Sequence, residues 1–393
     1  MNTTHCILIH YHELGLKGDN RHWFEQVFEN NIKKHLIDLP FSSIKTTGAR
    51  VFIFGVFPEK WSVYSIRLNN IMGLANATLV IQIEPTIELL NKTAENLVCD
   101  KQFNTFKIAA RRQYKDFHLT SMEINKQVGA HLQKICNKPV KLKNPDLTCF
   151  IEIVNGMGYL GISRIIGYGG LPVGVSEKAI SLISSGIDSP VASFELIKRG
   201  VDITYVHFHS VPSTSRQSIL NVKTLLKILA KYQLECKLIL IPILPIQQLI
   251  MKNIRDKYWV ILFRRVMVNL ACQLAKKNGA SALITGESVG QVASQTLSNL
   301  RAIDNITTLP ILRPLSGMNK VDIINRAMEI GTYDISVEPY EDCCSYFVPI
   351  HPATRARLPD IIRMESKLNY NNLFEEALKI SEVETIKPHY KET

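Results

Sequence analysis

No apolar run in the 393-residue chain approaches the ~18–20 residues that a helix needs to cross a bilayer. The opening, Met1-Asn2-Thr3-Thr4-His5-Cys6, has no basic region, and acidic Glu13 interrupts the apolar stretch. No signal peptide is therefore expected, and the cytosol is the default compartment. Low-complexity tracts are absent, and 20 Gly and 17 Pro spread along the chain argue against a fibrous or largely disordered protein. There is no Cys-x-x-Cys, and no His/Cys cluster has zinc spacing, so no structural metal is expected. Eight scattered cysteines in a long cytosolic chain imply reduced thiols and no disulfide framework. Only the adjacent Cys343 and Cys344 stand out, and sequence neighbours rarely bond to each other without strain.

What is abundant is positive charge. Lys and Arg number 46 against 35 Asp and Glu, a formal +11. Residues 1–175 hold 20 basic and 14 acidic residues, and the excess is concentrated between Lys101 and Lys143, with ten basic and two acidic residues. A folded segment of that kind suits a polyanion, because each neutralised phosphate releases condensed counterions. A solvated basic face explains it equally well. Tyr114, Phe117 and His118 in the same stretch are candidates for stacking on bases, or for the core.

Two textures divide the chain. Up to residue 170, strand-like runs (Cys6–His10, Arg50–Phe54, Thr78–Ile83, Thr105–Ala110, Thr148–Val154) are interspersed with helix-like runs (Trp23–Ile37, Ser62–Met72, Ile87–Val98, Ser121–Cys136). That pattern predicts small α+β units. The stretch from Ile166 to Gly174, with four glycines and a proline, reads as a linker. Beyond it strands (Ala179–Ile183, Ile203–Phe208, Lys237–Ile241, Ala282–Thr285, Leu309–Leu312) alternate with helices (Pro190–Arg199, Arg216–Tyr232, Lys257–Asn278, Gln291–Leu300, Lys320–Ile330). Such alternation calls for a parallel sheet covered on both faces, with ligands at the carboxyl ends of its strands.

The first loop of that kind is Ser184-Ser185-Gly186-Ile187-Asp188-Ser189-Pro190. Small residues let backbone N–H groups converge on an anion, and a helix N-terminus adds partial positive charge. The loop has no Lys and no Gly-x-x-x-x-Gly-Lys pattern, so it is not a kinase-type P-loop. On the residues alone, a turn without ligand explains it too.

Ser184–Pro190 resembles the Ser-Gly-Gly-x-Asp-Ser signature of the PP-loop ATP pyrophosphatases, with Ser185 in place of the first glycine. The added Cβ predicts slightly altered geometry and no loss of activity. The rest of the chain narrows the resemblance to the tRNA 4-thiouridine synthetase (tRNA sulfurtransferase) family. It is carried by Glu13-Leu-Gly-Leu-Lys-Gly-Asp-Asn-Arg21, by the THUMP-like stretch Phe106–Gly129, by the run Thr285–Leu297, by Arg313-Pro-Leu315, and by Glu338-Pro-Tyr-Glu-Asp-Cys-Cys344. The resemblance implies an α/β fold: a C-terminal doubly wound parallel sheet (PP-loop, adenine nucleotide hydrolase-like) over 168–393. Ahead of it stand a ferredoxin-like domain over 1–60 and a THUMP RNA-binding domain over 61–167. No C-terminal rhodanese domain is expected in a chain of this length.

The implied reaction is adenylation of O4 of a tRNA uridine, expected at uridine-8, by ATP with Mg2+. A cysteine persulfide then replaces the oxygen, giving 4-thiouridine. Cys343 and Cys344 are the candidate sulfur carriers, with the choice between them open, and Asp188 is the loop's catalytic candidate, for the phosphates or for Mg2+. Glu341 and Asp342 beside the thiols call for a basic offset, with Arg355 and Arg357 as candidates. Nucleotide contacts are expected at Leu182, Ile183, Ser184, Ser185, Gly186, Ser189, His207, Phe208, Arg264, Gly286 and Gln295. Without the family match, ordinary core or surface roles account for Leu182, Ile183, His207, Phe208 and Arg264. RNA contacts are expected at Lys107, Arg111, Arg112 and Lys115, and no metal ligands are assigned. The implied partners are tRNA, a cysteine desulfurase as persulfide donor, a thiamine sulfur-carrier protein and a second copy in a homodimer, with no membrane. A small-molecule PP-loop ligase or amidotransferase and a non-catalytic tRNA-binding protein are the alternatives.

Overall fold

The computed structural model describes residues 4–113, 117–339, 347 and 349–390. The chain divides into two compact units, one running to Pro172 and the other from Val173. The division falls inside the Gly-rich stretch 166–174.

The first unit is one seven-stranded sheet. Its strands are β1 (Thr4–Tyr11), β2 (Ser43–Thr47), β3 (Arg50–Phe54), β4 (Leu74–Ile83), β5 (Phe106–Arg112), β6 (Leu147–Val154) and β7 (Met157–Ile166), in the order β2-β3-β1-β4-β7-β6-β5. The helices are α1 (Arg21–His35), α2 (Trp61–Asn69), α3 (Ile87–Val98) and α4 (Ser121–Cys136). All pairings are antiparallel except β5 with β6. Two cores lie under the helices. One joins Ile7, Ile9, Val51 and Ile53 to Phe28, Ile32, Tyr64 and Leu68; the other joins Phe106, Ile151 and Ile153 to Leu90, Val98, Ile124 and Leu132. Helix α2 thus packs with residues 1–60, and a cut after residue 60 would strip Tyr64 and Leu68 from the core they fill. Helix α4 is fixed at its start by a capping box between Thr120 and Glu123.

Strand β7 is hidden in the sequence by Gly158 and Gly161, which weaken a strand pattern. The structure supplies the reason for the second: a β-carbon on Gly161 would lie 2.1 Å from the Leu79 carbonyl oxygen. Glycine lets β4 and β7 approach. Strand β2 is equally silent, because none of its residues is buried.

The second unit has a six-stranded sheet of β8 (Lys178–Leu182), β9 (Asp202–His209), β10 (Cys236–Pro242), β11 (Ala280–Ile284), β12 (Ile311–Leu312) and β13 (Glu382–Ile386), in the order β12-β11-β8-β9-β10-β13. Around it lie α5 (Asp188–Ile197), α6 (Gln217–Gln233), α7 (Leu244–Asn253), α8 (Trp259–Asn278), α9 (Leu297–Asp304), α10 (Lys320–Ile330), α11 (Tyr333–Ser336), α12 (Leu358–Glu365) and α13 (Asn371–Lys379). The sheet is parallel from β12 to β10, as the alternation predicts, but β13 closes its edge antiparallel to β10. That polar edge strand, α7 and the last three helices are not among the elements expected from the sequence, although α12 and α13 are strongly amphipathic. The helix expected over 291–300 starts later, at Leu297, because the Thr296 side chain accepts from Asn299 N–H and caps it there. The residues before it form a loop with one 3-10 turn at Ala293–Gln295. Phe194 of α5 is fully buried and meets Tyr232 of α6 edge to face at 5.0 Å. Truncating such a ring to Ala costs about 3–5 kcal/mol, so the helix after the Ser184–Pro190 loop is firmly seated.

Candidate active site

Strand β8 continues to β9 on one side, while β11, on its other side, leads to β12. A doubly wound sheet opens a crevice at this reversal, and a cleft of about 210 Å³ lies there. Its lining includes ten of the expected residues: Leu182, Ile183, Ser184, Asp188, Ser189, His207, Phe208, Arg264, Gly286 and Gln295. Ser185 and Gly186 sit in the loop but do not line the cleft.

Serine hydroxyls set the loop's shape. Ser184 N–H donates to Ser189 Oγ at 2.9 Å, and Ser189 Oγ donates back to the Ser184 carbonyl at 3.1 Å. Ser193 Oγ donates to the Ser189 carbonyl and contacts Ser181 Oγ, each at 2.9 Å, tying the first turns of α5 to β8. Asp188 and Ser189, the first residues of α5, face the cleft, so the positive end of that helix faces it too. Ser185 is fully buried, and its φ is not positive. The Cβ it adds in place of glycine therefore demands no left-handed backbone, and its Oγ is buried without a partner.

Gly286 shows the opposite case. A β-carbon there would lie 2.6 Å from Ser189 N and 2.8 Å from Asp188 C, so the loop after β11 rests directly on the backbone of the phosphate loop.

The Asp188 carboxylate is a junction. Oδ1 accepts from Lys320 Nζ at 2.5 Å and Oδ2 from Gln291 Nε2 at 2.9 Å, linking the loop to the start of α10 and to the 285–296 segment. With an ammonium on one oxygen and an amide on the other, Asp188 is not set as a free metal ligand. Among the described residues no group of three metal-ligating side chains converges. The described residues do not form a ready-made Mg2+ site.

At the β9 end, His207 is fully buried and its Nδ1–H donates to the Ile183 carbonyl at 2.9 Å. Burial, helped by His207 and Arg216, pushes the neighbouring His209 down to about 4, so it is neutral at physiological pH. The apolar wall comes from Met267, Val268 and Ile303.

Opposite lies a charged chain whose pairings sequence reasoning does not find, although Arg264 in it is an expected residue. Glu287, almost fully buried, accepts from Arg264, from Arg313 Nε at 2.6 Å and from Thr285 Oγ1 at 3.0 Å. Arg313 in turn grips Asp304 through both terminal nitrogens. Burial works to raise the Glu287 carboxyl, but the two guanidiniums outweigh it and hold it below the usual carboxylate range. Arg264 Nε and Gln295 Oε1 remain buried without partners beside the cleft, which a bound ligand would remedy. Replacing Glu287 by Gln breaks a buried pair, a change that costs about 3–5 kcal/mol. Calorimetry is expected to show the second unit unfolding several degrees lower, and an unchanged transition would mean that water already screens the pair.

Signals for some of these residues exist. Thr285, Glu287 and Gln291 belong to the Thr285–Leu297 run, Arg313 opens Arg-Pro-Leu, and Met267 and Val268 share a helix face with Arg264 at i+3 and i+4. Lys320 has none.

In the first unit, Lys107, Arg111 and Arg112 lie on β5, one of the two edge strands of the sheet. Arg111 is exposed. Arg112 Nη1 donates to the carbonyls of Phe117 and Leu119 at 2.6 and 3.2 Å, bracing the turn into α4. Phe117 is core, leaving His118 exposed. Tyr114, Lys115, Cys343 and Cys344 lie outside the described residues. No helix among the described residues is long and apolar enough to cross a membrane.

Three protein families match the chain: the ferredoxin-like domain of ThiI over residues 6–78, the THUMP domain over 84–163, and thiamine biosynthesis protein (ThiI) over 174–370. Probable tRNA sulfurtransferases of Moorella thermoacetica and Halothermothrix orenii are each 40% identical to it, over 97% of this chain and 98% of theirs. Among solved structures, a 4-thiouridine synthetase in complex with RNA and bound ATP superposes with a TM-score of 0.86 at 35% identity, covering 98% of this chain and all of that one. A Pyrococcus horikoshii protein shares the fold at 22% identity and a TM-score of 0.64, over 83% of this chain and 99% of its own.

Proposed function

The chain belongs to the ThiI family of tRNA sulfurtransferases, and on that footing we propose that it adenylates O4 of a tRNA uridine, the expected target being uridine-8, and exchanges that oxygen for sulfur. The observation that carries the reading is the cleft at the β8/β11 reversal. There the open end of α5, the serine-braced loop and two unsatisfied polar side chains converge, as a nucleotide phosphate and sugar require.

Within it, the Ser184–Ser189 loop receives the phosphates and α5 supplies partial positive charge where pyrophosphate develops. Lys320, already beside Asp188, adds a full charge at the same end. Leu182, Ile183, His207 and Phe208 offer the nucleobase an apolar bed. Mg2+ enters with the nucleotide's own phosphates, because the described residues offer no carboxylate cage for it. The sulfur step falls to Cys343 and Cys344: a persulfide on one attacks C4 and AMP departs, leaving a C4–S–S–Cys linkage. A second thiol, such as the free cysteine of the mixture, attacks the carrier sulfur, releasing 4-thiouridine and leaving a disulfide that further thiol reduces. A cysteine desulfurase charges the carrier thiol, and the same sulfur can pass to a thiamine sulfur-carrier protein. A cytoplasmic setting, where thiols stay reduced, fits this chemistry, and a homodimer is compatible with it.

The test is nucleoside analysis of tRNA after incubation with the protein, ATP, Mg2+, cysteine and a desulfurase. 4-Thiouridine should appear only when all are present, and its absence from an ATP-binding preparation would overturn the reaction. The basic strand gives a second expectation. Arg111→Ala should lower the slope of log K against log salt for tRNA by about one unit, one phosphate contact. An unchanged slope would return the segment to a solvated face. Arg112→Ala should instead loosen the turn into α4.

A further inference from the structure

Two cysteines outside this chemistry lie together in the first unit. Cys99 comes directly after the last residue of α3 and Cys136 ends α4, and their sulfurs are 3.9 Å apart although 37 residues separate them in sequence. The helices that carry them are locked in register. Leu90, Ala94 and Val98 of α3 share a core with Ile124, Val128 and Leu132 of α4, and His131 Nε2 meets Glu95 Oε2 at 3.1 Å about one turn before the thiols. Cys99 is exposed and Cys136 is partly so. Closing the gap to the ~2.05 Å of a disulfide asks for side-chain rotation of about 2 Å between atoms whose backbones are already fixed.

We propose that Cys99 and Cys136 form a dithiol modification site that hydrogen peroxide converts to an intramolecular disulfide. The exposed Cys99 thiolate attacks the peroxide oxygen, gaining a sulfenic acid and releasing one water. The Cys136 thiol then displaces hydroxide from that sulfur, which leaves as a second water once protonated. Two thiols are oxidised by two electrons and one peroxide is reduced to two waters. The order comes from access and acidity: burial first, and then the hydrogen bond with Cys99, push the Cys136 thiol up, so the exposed Cys99 is the first to be attacked and Cys136 is left to resolve. The result is a covalent link between the carboxyl ends of the two helices that flank the basic strand β5.

The experiment treats the reduced full-length protein with hydrogen peroxide in the presence of a chelator, blocks remaining thiols with N-ethylmaleimide, and maps peptides by mass. The expected result is a Cys99–Cys136 cross-linked peptide, lighter by two hydrogens than its parts, and loss of two of the eight thiols from these positions. Dithiothreitol should restore both. In Cys99→Ser, Cys136 should remain alkylatable under the same treatment. Recovery of both residues in blocked form from oxidised wild type, or oxidation of each to sulfinic acid without a cross-link, would overturn the proposal.

Discussion

Changing both Cys343 and Cys344 to serine is expected to eliminate thiolation of tRNA while leaving ATP binding and tRNA-dependent pyrophosphate release in place. A hydroxyl cannot carry sulfane sulfur, and a missing covalent step is not replaced by binding energy. Among the described residues, the side chains that line the cleft belong to residues 182–313, and the phosphate loop at 184–190 is more than 150 residues from the double cysteine in sequence. Labelled ATP should still yield AMP and pyrophosphate in futile turnover, and liquid chromatography of digested tRNA should show no 4-thiouridine. Single changes then assign the carrier: its loss should be near total and its neighbour's mild. If the double variant thiolates tRNA at a rate near wild type, another thiol or free sulfide delivers the sulfur.

Asp188→Ala should abolish adenylation, with pyrophosphate release falling by at least about 100-fold, the usual scale for losing one preorganised charged contact. Two effects combine. The carboxylate fixes Lys320 beside the phosphate loop, and it ties that loop to Gln291. Asp188→Asn separates them, because an amide can keep a bond to Gln291 but cannot form the ion pair with Lys320. If the charge of Lys320 must be held in place, Asn should be nearly as inactive as Ala; if the tie to Gln291 matters more, Asn should recover most activity. Affinity for tRNA should change by less than about twofold in both, since the basic strand lies in the other unit. Unchanged pyrophosphate release in Asp188→Ala would remove this loop from the reaction.

The nucleotide cleft is legible in sequence where backbone and small residues make it. Ser184, Asp188, Ser189 and Gly286 belong to short contiguous runs whose composition answers to a local need, and such needs survive in one dimension. Lys320 does not, because its role depends on a partner brought from elsewhere by the sheet: 132 residues separate it from Asp188. Glu287 and Arg313 lie in recognisable runs, but their pairing with each other does not show there. The same limit governs the fold. Strands with a buried alternation are visible, whereas β2 with no buried face, β7 with glycines at a close approach and the polar edge β13 are not. Arg112 illustrates the converse, a residue whose charge suggests RNA and whose guanidinium also braces a turn through the Phe117 and Leu119 carbonyls.

Positions 185 and 286 bear on how such chains are recognised in the first place. Both are written as glycine in the simplest pattern for this loop pair, yet only one of them is closed to substitution. At 185 the backbone lies in a region open to every residue, and serine is accommodated. At 286 the nearest neighbours of any side chain would be main-chain atoms 2.6–2.8 Å away, which no rotamer can avoid. A search signature that insists on glycine at the first position would discard functional members, whereas one that insists on it at the second filters on a real steric boundary. Drift among relatives should accumulate accordingly, at position 185 of the phosphate loop and hardly at all at 286, where the second loop leans upon it.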